Sequence, residues 1–486
     1  MREQECSTMT VITPHNTPVD GNVSDNKPST SSTQINPAVI LLAIVFVAVL
    51  LTYIVDSGEY TRKGELVLPG TFQSLEKNSS PLHLFSVDGR KETDVKPVSI
   101  IEGLMAIPRG LVKQSGLIFM VILIGGMFGV LNKSGTIDSG LTRMLALARG
   151  NIYLLVPSIM LILSLGSSCL GMAKEYVMVV PLMVAMAHRM GLPTIIGLAI
   201  VVISVKIGFL SSISNPVALG IAQPIVGLPV FSGMGMRAAT FVVFMLVGTA
   251  FVLMCIRRTG VDVRAHVIND DKRLSVRHVV TLIALLAGVS FLVYASNTWK
   301  WKFTELSAYY IGMSIVFAAI SGIGATAAAD AFLSGMKKVM MAGLLIGLAT
   351  AVEDVLSTGK ILDSVVNGLA GLIGGHSPVV SAFGMFFSQL FLDVMIPSTS
   401  GGAAVTMPIF GPLGQLTGVT AQTSVYAFLL GHGLTNMITP TSSGLLVLLA
   451  TAQVGWGQWA RFILPLFVTF FCIALVMLAI AVSIGY

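Results

Sequence analysis

Charge is what this chain has least of. Only 11% of its 486 residues are Asp, Glu, Lys or Arg, while 54% are apolar and the mean hydropathy is +0.86. An average soluble domain carries about 25% charged residues, so that class is excluded. Cysteine is scarce as well. Cys6, Cys169, Cys255 and Cys472 are widely scattered, and no CxxC or CxxH occurs, which excludes a disulfide framework and a zinc site. There is no GxxxxGK[ST] loop to cradle ATP phosphates and no HExxH. With no nucleophile–base pair visible either, neither an enzyme nor a cofactor is expected. The formal net charge of +6 calls for no nucleic-acid partner, because the Lys and Arg fall mostly in short polar connections. Anionic headgroups and the orientation rule for membrane proteins place them there.

What is present is apolar sequence in long runs. Residues 38–55, 116–131, 151–166, 238–256, 278–295 and 462–483 are near the length that crosses a bilayer and carry few or no charges. The fold class expected is an all-α polytopic membrane protein of ten to twelve hydrophobic elements, with the lipid bilayer as its first partner. Residues 1–36 are polar and rich in Ser, Thr, Asn, Asp and Pro, and read as a disordered tail. Residues 257–277 form a short loop with six Arg or Lys, the best marker for the cytoplasmic side.

The stretch FLSSISNPVALG at 209–220 interrupts one of these apolar regions. In lipid every backbone polar group needs a partner inside the protein, so such a break must be buried or line a cavity. A second stretch matches it. SSISNPVALG (211–220) aligns with TNMITPTSSG (435–444), pairing Pro216 with Pro440 and Gly220 with Gly444, and an arginine follows each glycine by seventeen residues, Arg237 and Arg461. PLMVAMAHRMG (181–191) aligns with PIFGPLGQLTG (408–418), and GLVKQSGLIFM (110–120) with GMKKVMMAGLL (335–345), all at an offset of about 225. Counting crossings, the extra span at 278–295 reverses the direction of the second copy. The expectation is two inverted-topology repeats with re-entrant helical hairpins and broken helices. The first repeat is 37–256, the basic loop and linking span are 257–307, and the second, inverted repeat is 308–486.

Paired broken helices in inverted repeats point to the binding site of a secondary transporter. Half-helix N-termini suit a carboxylate, and loose carbonyls and hydroxyls suit Na⁺ or a polar solute. The candidates at the breaks are Ser212, Ser214, Asn215, Thr435, Asn436, Thr439, Thr441 and Ser442, with Na⁺ near Asn215 and Asn436 as one option. At the hairpin tips they are Ser398, Thr399 and Ser400, with Gly166-Ser167-Ser168 taken as the first tip. Hydroxyls at such ends also simply cap helices. Glu175 and Asp393 are ionisable groups in apolar sequence, which is expensive and functional by default. His432 is a candidate proton carrier, and Glu353 and Asp354 read as interfacial. A channel would less readily explain two inverted broken hairpins, and a scaffold would not need them.

Three segments also look familiar. IPSTSGGAAVTMPIFGPLGQLTGV (396–419), MITPTSSGLL (437–446) and SNPVALGIAQPIVGLPVFSG (214–233) resemble the YfcC family over roughly residues 37–485. These are basic amino acid antiporters, related to arginine–ornithine exchangers and C4-dicarboxylate carriers of the ion transporter superfamily. The resemblance implies a bacterial inner (cytoplasmic) membrane location and a carboxylate-bearing solute. It also implies a coupling ion (Na⁺ or H⁺) or a counter-substrate. Dimers are common in that superfamily, so a homodimer is an expectation the resemblance carries. The sequence departs from the family near the site. GMGEEA is here Gly171-Met172-Ala173-Lys174-Glu175-Tyr176, keeping only the second carboxylate. FGDGF is here Leu430-Gly431-His432-Gly433-Leu434, and Gly402 stands where an amide is expected.

Overall fold

The computed structural model describes residues 37–63, 66–77, 81–86, 95–137, 139, 151–173, 175–261, 275–299 and 301–486. The polar tail, most of the basic loop and Lys174 lie outside the described residues. Among the described residues, eight helices are long and apolar enough to cross a membrane, and three shorter apolar helices accompany them. The chain is a multi-pass helical membrane protein.

Helices α1 (Pro37–Ile54), α2 (Ile100–Lys113), α3 (Ser115–Lys133), α4 (Ile152–Leu170) and α5 (Val180–Arg189) open the chain. α6 (Thr194–Ser211), α7 (Pro216–Ile225) and α8 (Met234–Arg258) complete its first half. α9 (Val276–Thr298) and α10 (Phe303–Ser321) lead to the 34-residue α11 (Ala325–Thr358) and to α12 (Leu362–Ile373). α13 (Pro378–Met395), α14 (Thr399–Leu416), α15 (Ala421–Thr435), α16 (Ser443–Thr451) and α17 (Trp456–Ser483) close it. The α2–α3 pair, bent at Gln114, begins and ends 225 residues before α11 does.

α3 and α11 pack antiparallel. Gly110 faces Gly347 and Ala351, whereas Gly125 and Gly129 face Ala331, Gly335 and Val339. Small residues let the backbones approach as membrane helices require. A Cβ on Gly335 would stand 2.1 Å from the Gly125 carbonyl oxygen, so no larger residue fits without moving a helix. α1 packs on α11 and α10 packs on α3. The hairpins α4–α5 and α13–α14 hold the broken helices α6–α7 and α15–α16 between them, and α6 contacts α15. These broken helices form the centre: 83% of the most apolar window in Thr194–Ile225 is buried.

Between α1 and α2 two small antiparallel ladders pair Ser57–Glu59 with Gln73–Leu75 and Arg62–Lys63 with Leu66–Val67. This segment is bound to α12. Arg62 Nη2 lies 2.6 Å from Asp363 Oδ1, the Tyr60 backbone N–H donates to Asp363 Oδ2 at 3.0 Å, and Tyr60 Oη donates to Asn367 at 2.9 Å. Glu353 and Asp354 form ion pairs with Lys113 and Arg109.

Candidate functional site

The first hairpin turns later than the sequence suggested. Ser167 and Ser168 are still inside α4, where Ser167 Oγ donates to the Val205 carbonyl and Ser168 Oγ meets Ser211 Oγ at 2.9 Å. The turn comes at Gly171, whose φ of +71° lies in the left-handed region and whose Cα hydrogen side abuts Asn215 Oδ1. An added Cβ there would be 2.6 Å from that oxygen, so glycine is required twice over. The second hairpin turns at Pro397, and Ser398 caps α14 by accepting from the Gly401 N–H.

At the first break α6 ends on Ser212, itself left-handed at φ +40°. Every polar side chain there is used internally. Ser212 Oγ donates to the Phe209 carbonyl, Ser214 Oγ donates to the Cys169 carbonyl, and Asn215 Oδ1 accepts from Val217 and Ala218 as the cap of α7. The Ile213 carbonyl takes a 3.1 Å hydrogen bond from the guanidinium of buried Arg237, which also donates to Phe231 O and Tyr486 Oη. At the second break Thr435 donates to the Leu390 carbonyl, and Thr439 and Thr441 bond each other at 2.8 Å. The carbonyls of Met437 and Ile438 accept from the indoles of Trp459 and Trp456 at 3.0 and 2.8 Å.

Ser212, Ser214, Asn215, Thr435, Thr439 and Thr441 thus bond within the protein and are not among the residues lining the cavity at the hairpin tips. For the Na⁺ option, Asn215 Oδ1 is taken by two N–H groups, and the carbonyls of Ile213, Met437 and Ile438 have donors. Asn436 Oδ1 accepts from the Lys206 ammonium at 2.8 Å and from Ser442 at 2.5 Å, so a cation there would meet a like charge. No cluster of three or more His, Cys, Asp or Glu suited to a metal occurs among the described residues.

The open site is a cavity of 680 Å³ between the hairpin tips and the breaks. Ser398, Thr399, Ser400, Asn436, Ser442 and Glu175 line it, as does Lys206. Trp301, Lys302 and Phe303 close another wall at the start of α10. Three helices begin at its edge: α7 through Pro216 and Val217, α14 through Thr399 and Ser400, and α16 beside Ser442 and Gly444. Helix N-termini carry partial positive charge, but at α7 Pro216 has no N–H and those of Val217 and Ala218 are taken by Asn215 Oδ1, so α14 and α16 are the ones with donors to offer. Glu175 is held by the Ala173 N–H at 3.1 Å. Asp393 is not in the wall. It lies behind it, bonded to His432, whose other ring nitrogen reaches Thr399. A larger cavity of 1080 Å³ between the ends of α3 and α5 and the start of α11 contains none of the predicted residues.

Lys206 is the residue that sequence reasoning misses. The signal is there, a lone ammonium in the middle of an 18-residue apolar helix.

A family model for the C4-dicarboxylate anaerobic carrier, DcuC, matches residues 37–483. The chain belongs to the DcuC family. It is therefore a secondary transporter and not an enzyme, with a small-molecule substrate and the bilayer as its implied partners. The carrier is 27% identical over 482 residues to the Escherichia coli protein YfcC, provisionally named a basic amino acid antiporter, covering 90% of this chain and 94% of that one. It is 23% identical over 491 residues to an uncharacterized protein of Haemophilus influenzae, covering 91% and 96%. Among solved structures it resembles the YdaH transporter of Alcanivorax borkumensis, with a TM-score of 0.41, 16% identity and coverage of 93% and 99%. It also resembles MtrF of Neisseria gonorrhoeae, with a TM-score of 0.40, 18% identity and coverage of 92% and 95%.

Proposed function

We propose that this carrier moves a small carboxylate-bearing solute by alternating access, and that the solute is a basic amino acid exchanged in the manner of arginine and ornithine. One observation carries the reading: the N-termini of α14 and α16 and the Lys206 ammonium converge on one cavity. That arrangement attracts a carboxylate in a place where water competes weakly. Glu175 in the same wall supplies the counter-charge for a cationic end. The name of the Escherichia coli relative supports the same substrate class.

The protein is read as two inverted repeats, 37–256 and 308–486, joined by the basic loop and linking span at 257–307. Antiparallel packing of α3 against α11, and the exchange of partners by α1 and α10, support a two-fold relation between them. The basic loop is placed in the cytoplasm and the protein in the bacterial inner membrane. A cysteine at Thr259 should therefore resist an impermeant thiol reagent applied to intact cells, and strong labelling would reverse the orientation.

A second reading, transport of C4-dicarboxylates, is favoured by the family description and by Lys302, a second ammonium lining the cavity. Uptake into vesicles loaded with arginine, ornithine, lysine or succinate, with and without Na⁺ and a pH gradient, separates the two. Glu175→Gln should abolish exchange of the basic amino acids yet spare succinate. If no carboxylate is transported, and Asn436→Ala changes nothing that is, the cavity is not the site.

A further inference from the structure

His432, which lines the cavity, and Asp393 behind it belong to a set of polar groups that carboxylate binding alone does not use. Thr399 Oγ1, in the wall, is 2.8 Å from His432 Nε2, and His432 Nδ1 is 2.5 Å from Asp393 Oδ1. The pair is buried, with 0% exposure for the Asp393 side chain and 5% for that of His432, which borders the cavity. Phe428 stacks on the imidazole with centroids 5.5 Å apart. Asp393 Oδ2 has no hydrogen-bond partner among the described residues.

An imidazole between a carboxylate and a hydroxyl has two protonation states on one skeleton. When neutral, Nδ1–H donates to Asp393 and Nε2 accepts from Thr399. When protonated, Nε2–H donates to Thr399 Oγ1, whose own proton turns toward the cavity. Only a hydroxyl rotates. The charged groups facing His432 are Asp393 from α13 and Lys206 from α6, the latter joined through Asn436, whose Nδ2 lies 3.4 Å from Asp393. α14 presents Thr399, α7 has no titratable residue, and the Arg461 and Cys472 of α17 are exposed. Glu175 and Lys302 face the cavity from the other side. With a neutral ring, the Asp393 carboxylate balances the Lys206 ammonium. One added proton leaves a net positive charge beside Thr399, at the start of α14.

We propose that the His432–Asp393 pair is the carrier's coupling-proton site, and that its proton and the solute's carboxylate bind cooperatively. The imidazolium strengthens the field that holds the carboxylate, and by reciprocity the bound carboxylate strengthens the hold on the proton. This rests on the cavity being the solute site. For one coupled proton, affinity rises by at most about tenfold for each pH unit lowered through the titration.

The test is calorimetric binding of succinate and of L-arginine to the purified full chain from about pH 5 to about pH 8, in buffers of differing ionisation enthalpy. The wild type should take up as much as one proton per bound probe, with affinity falling as pH rises. His432→Gln, which keeps a donor and an acceptor but cannot ionise, should bind with no proton uptake and a flat pH profile. Uptake persisting in His432→Gln overturns the proposal, as does wild-type binding without uptake. If His432→Gln does not fold, Asp393→Asn decides the matter instead, since uptake with an unchanged pH profile there means the proton does not sit on the His432–Asp393 pair. Binding undiminished in Asn436→Ala and in Lys206→Met overturns the cavity as the solute site, and the proposal with it.

Discussion

Replacing Lys206 by methionine separates what that residue does for the fold from what it does for the solute. Its side chain is 7% exposed and its ammonium donates to Asn436 Oδ1 at 2.8 Å. Methionine keeps the length and removes the charge and all three donors. In the empty carrier Asn436 Oδ1 still accepts from Ser442, but the buried Asp393 carboxylate loses the ammonium that balances it and keeps His432 and Asn436. The fold should lose about 1–3 kcal/mol, the cost of removing a charged hydrogen-bond partner from buried surroundings. Relief from burying an ammonium offsets part of that. The solute loses a charge-assisted bond worth about 1.5–3 kcal/mol, which is roughly a tenfold to 150-fold weakening. The dissociation constant of a transported carboxylate and the melting temperature should be measured on one preparation. Affinity within about threefold of wild type, with the melt unchanged, would show that Lys206 does not hold the solute, and the convergence argument would fall.

Three further outcomes follow from the geometry. Gly335→Val should destabilise by about 1–3 kcal/mol or prevent folding, since its Cβ would meet the Gly125 carbonyl at 2.1 Å. Gly368→Ala, with nothing within 4 Å of its Cβ, should raise the melting temperature slightly, and similar losses in both would refute the close-packing account. Arg237→Met strips a donor from the Ile213 and Phe231 carbonyls, at about 1–3 kcal/mol for each carbonyl left unpaired. It should lower the melt by more than Arg461→Met does, since Arg461 is exposed. Burial, reinforced by Asp363, pushes the Tyr60 phenol up from 10.0 to about 12. A raised folded-state value means this contribution is complete below pH 10.0 and is lost as pH climbs to about 12. Tyr60→Phe should therefore flatten the pH dependence of the melt in that window, and an identical slope in both proteins would sink the assignment.

Period and punctuation make the breaks and hairpins readable without coordinates. Pro216 and Pro440 interrupt apolar runs that otherwise carry no reason to stop, and the shared offset of about 225 reappears in the bounds of α2–α3 and α11. Side-chain direction is not readable in that way. Asn215 and Asn436 occupy comparable breaks, yet one caps a helix and the other enters the cavity. What decides is which residue's partners come from distant sequence, as Lys206 does for Asn436 at a separation of 230. The first hairpin tip is misplaced by sequence for a related reason. Gly166 and Gly171 both permit a turn, but only Gly171 abuts Asn215. The wall at Trp301–Phe303 belongs to the linking region, which repeat matching passes over.

The two indoles that close the carbonyls of Met437 and Ile438 give the molecule an optical handle of its own. The chain has four tryptophans; two of them, Trp456 and Trp459, are tied to the second break, and a third, Trp301, lies in the cavity wall. Emission from an indole responds to whether its N–H is bonded and how wet its surroundings are. Unlabelled protein should thus change colour in the ultraviolet when the break rearranges or the cavity fills. Substituting Trp299, the remaining one, by phenylalanine would leave a spectrum written almost entirely by the transport cycle.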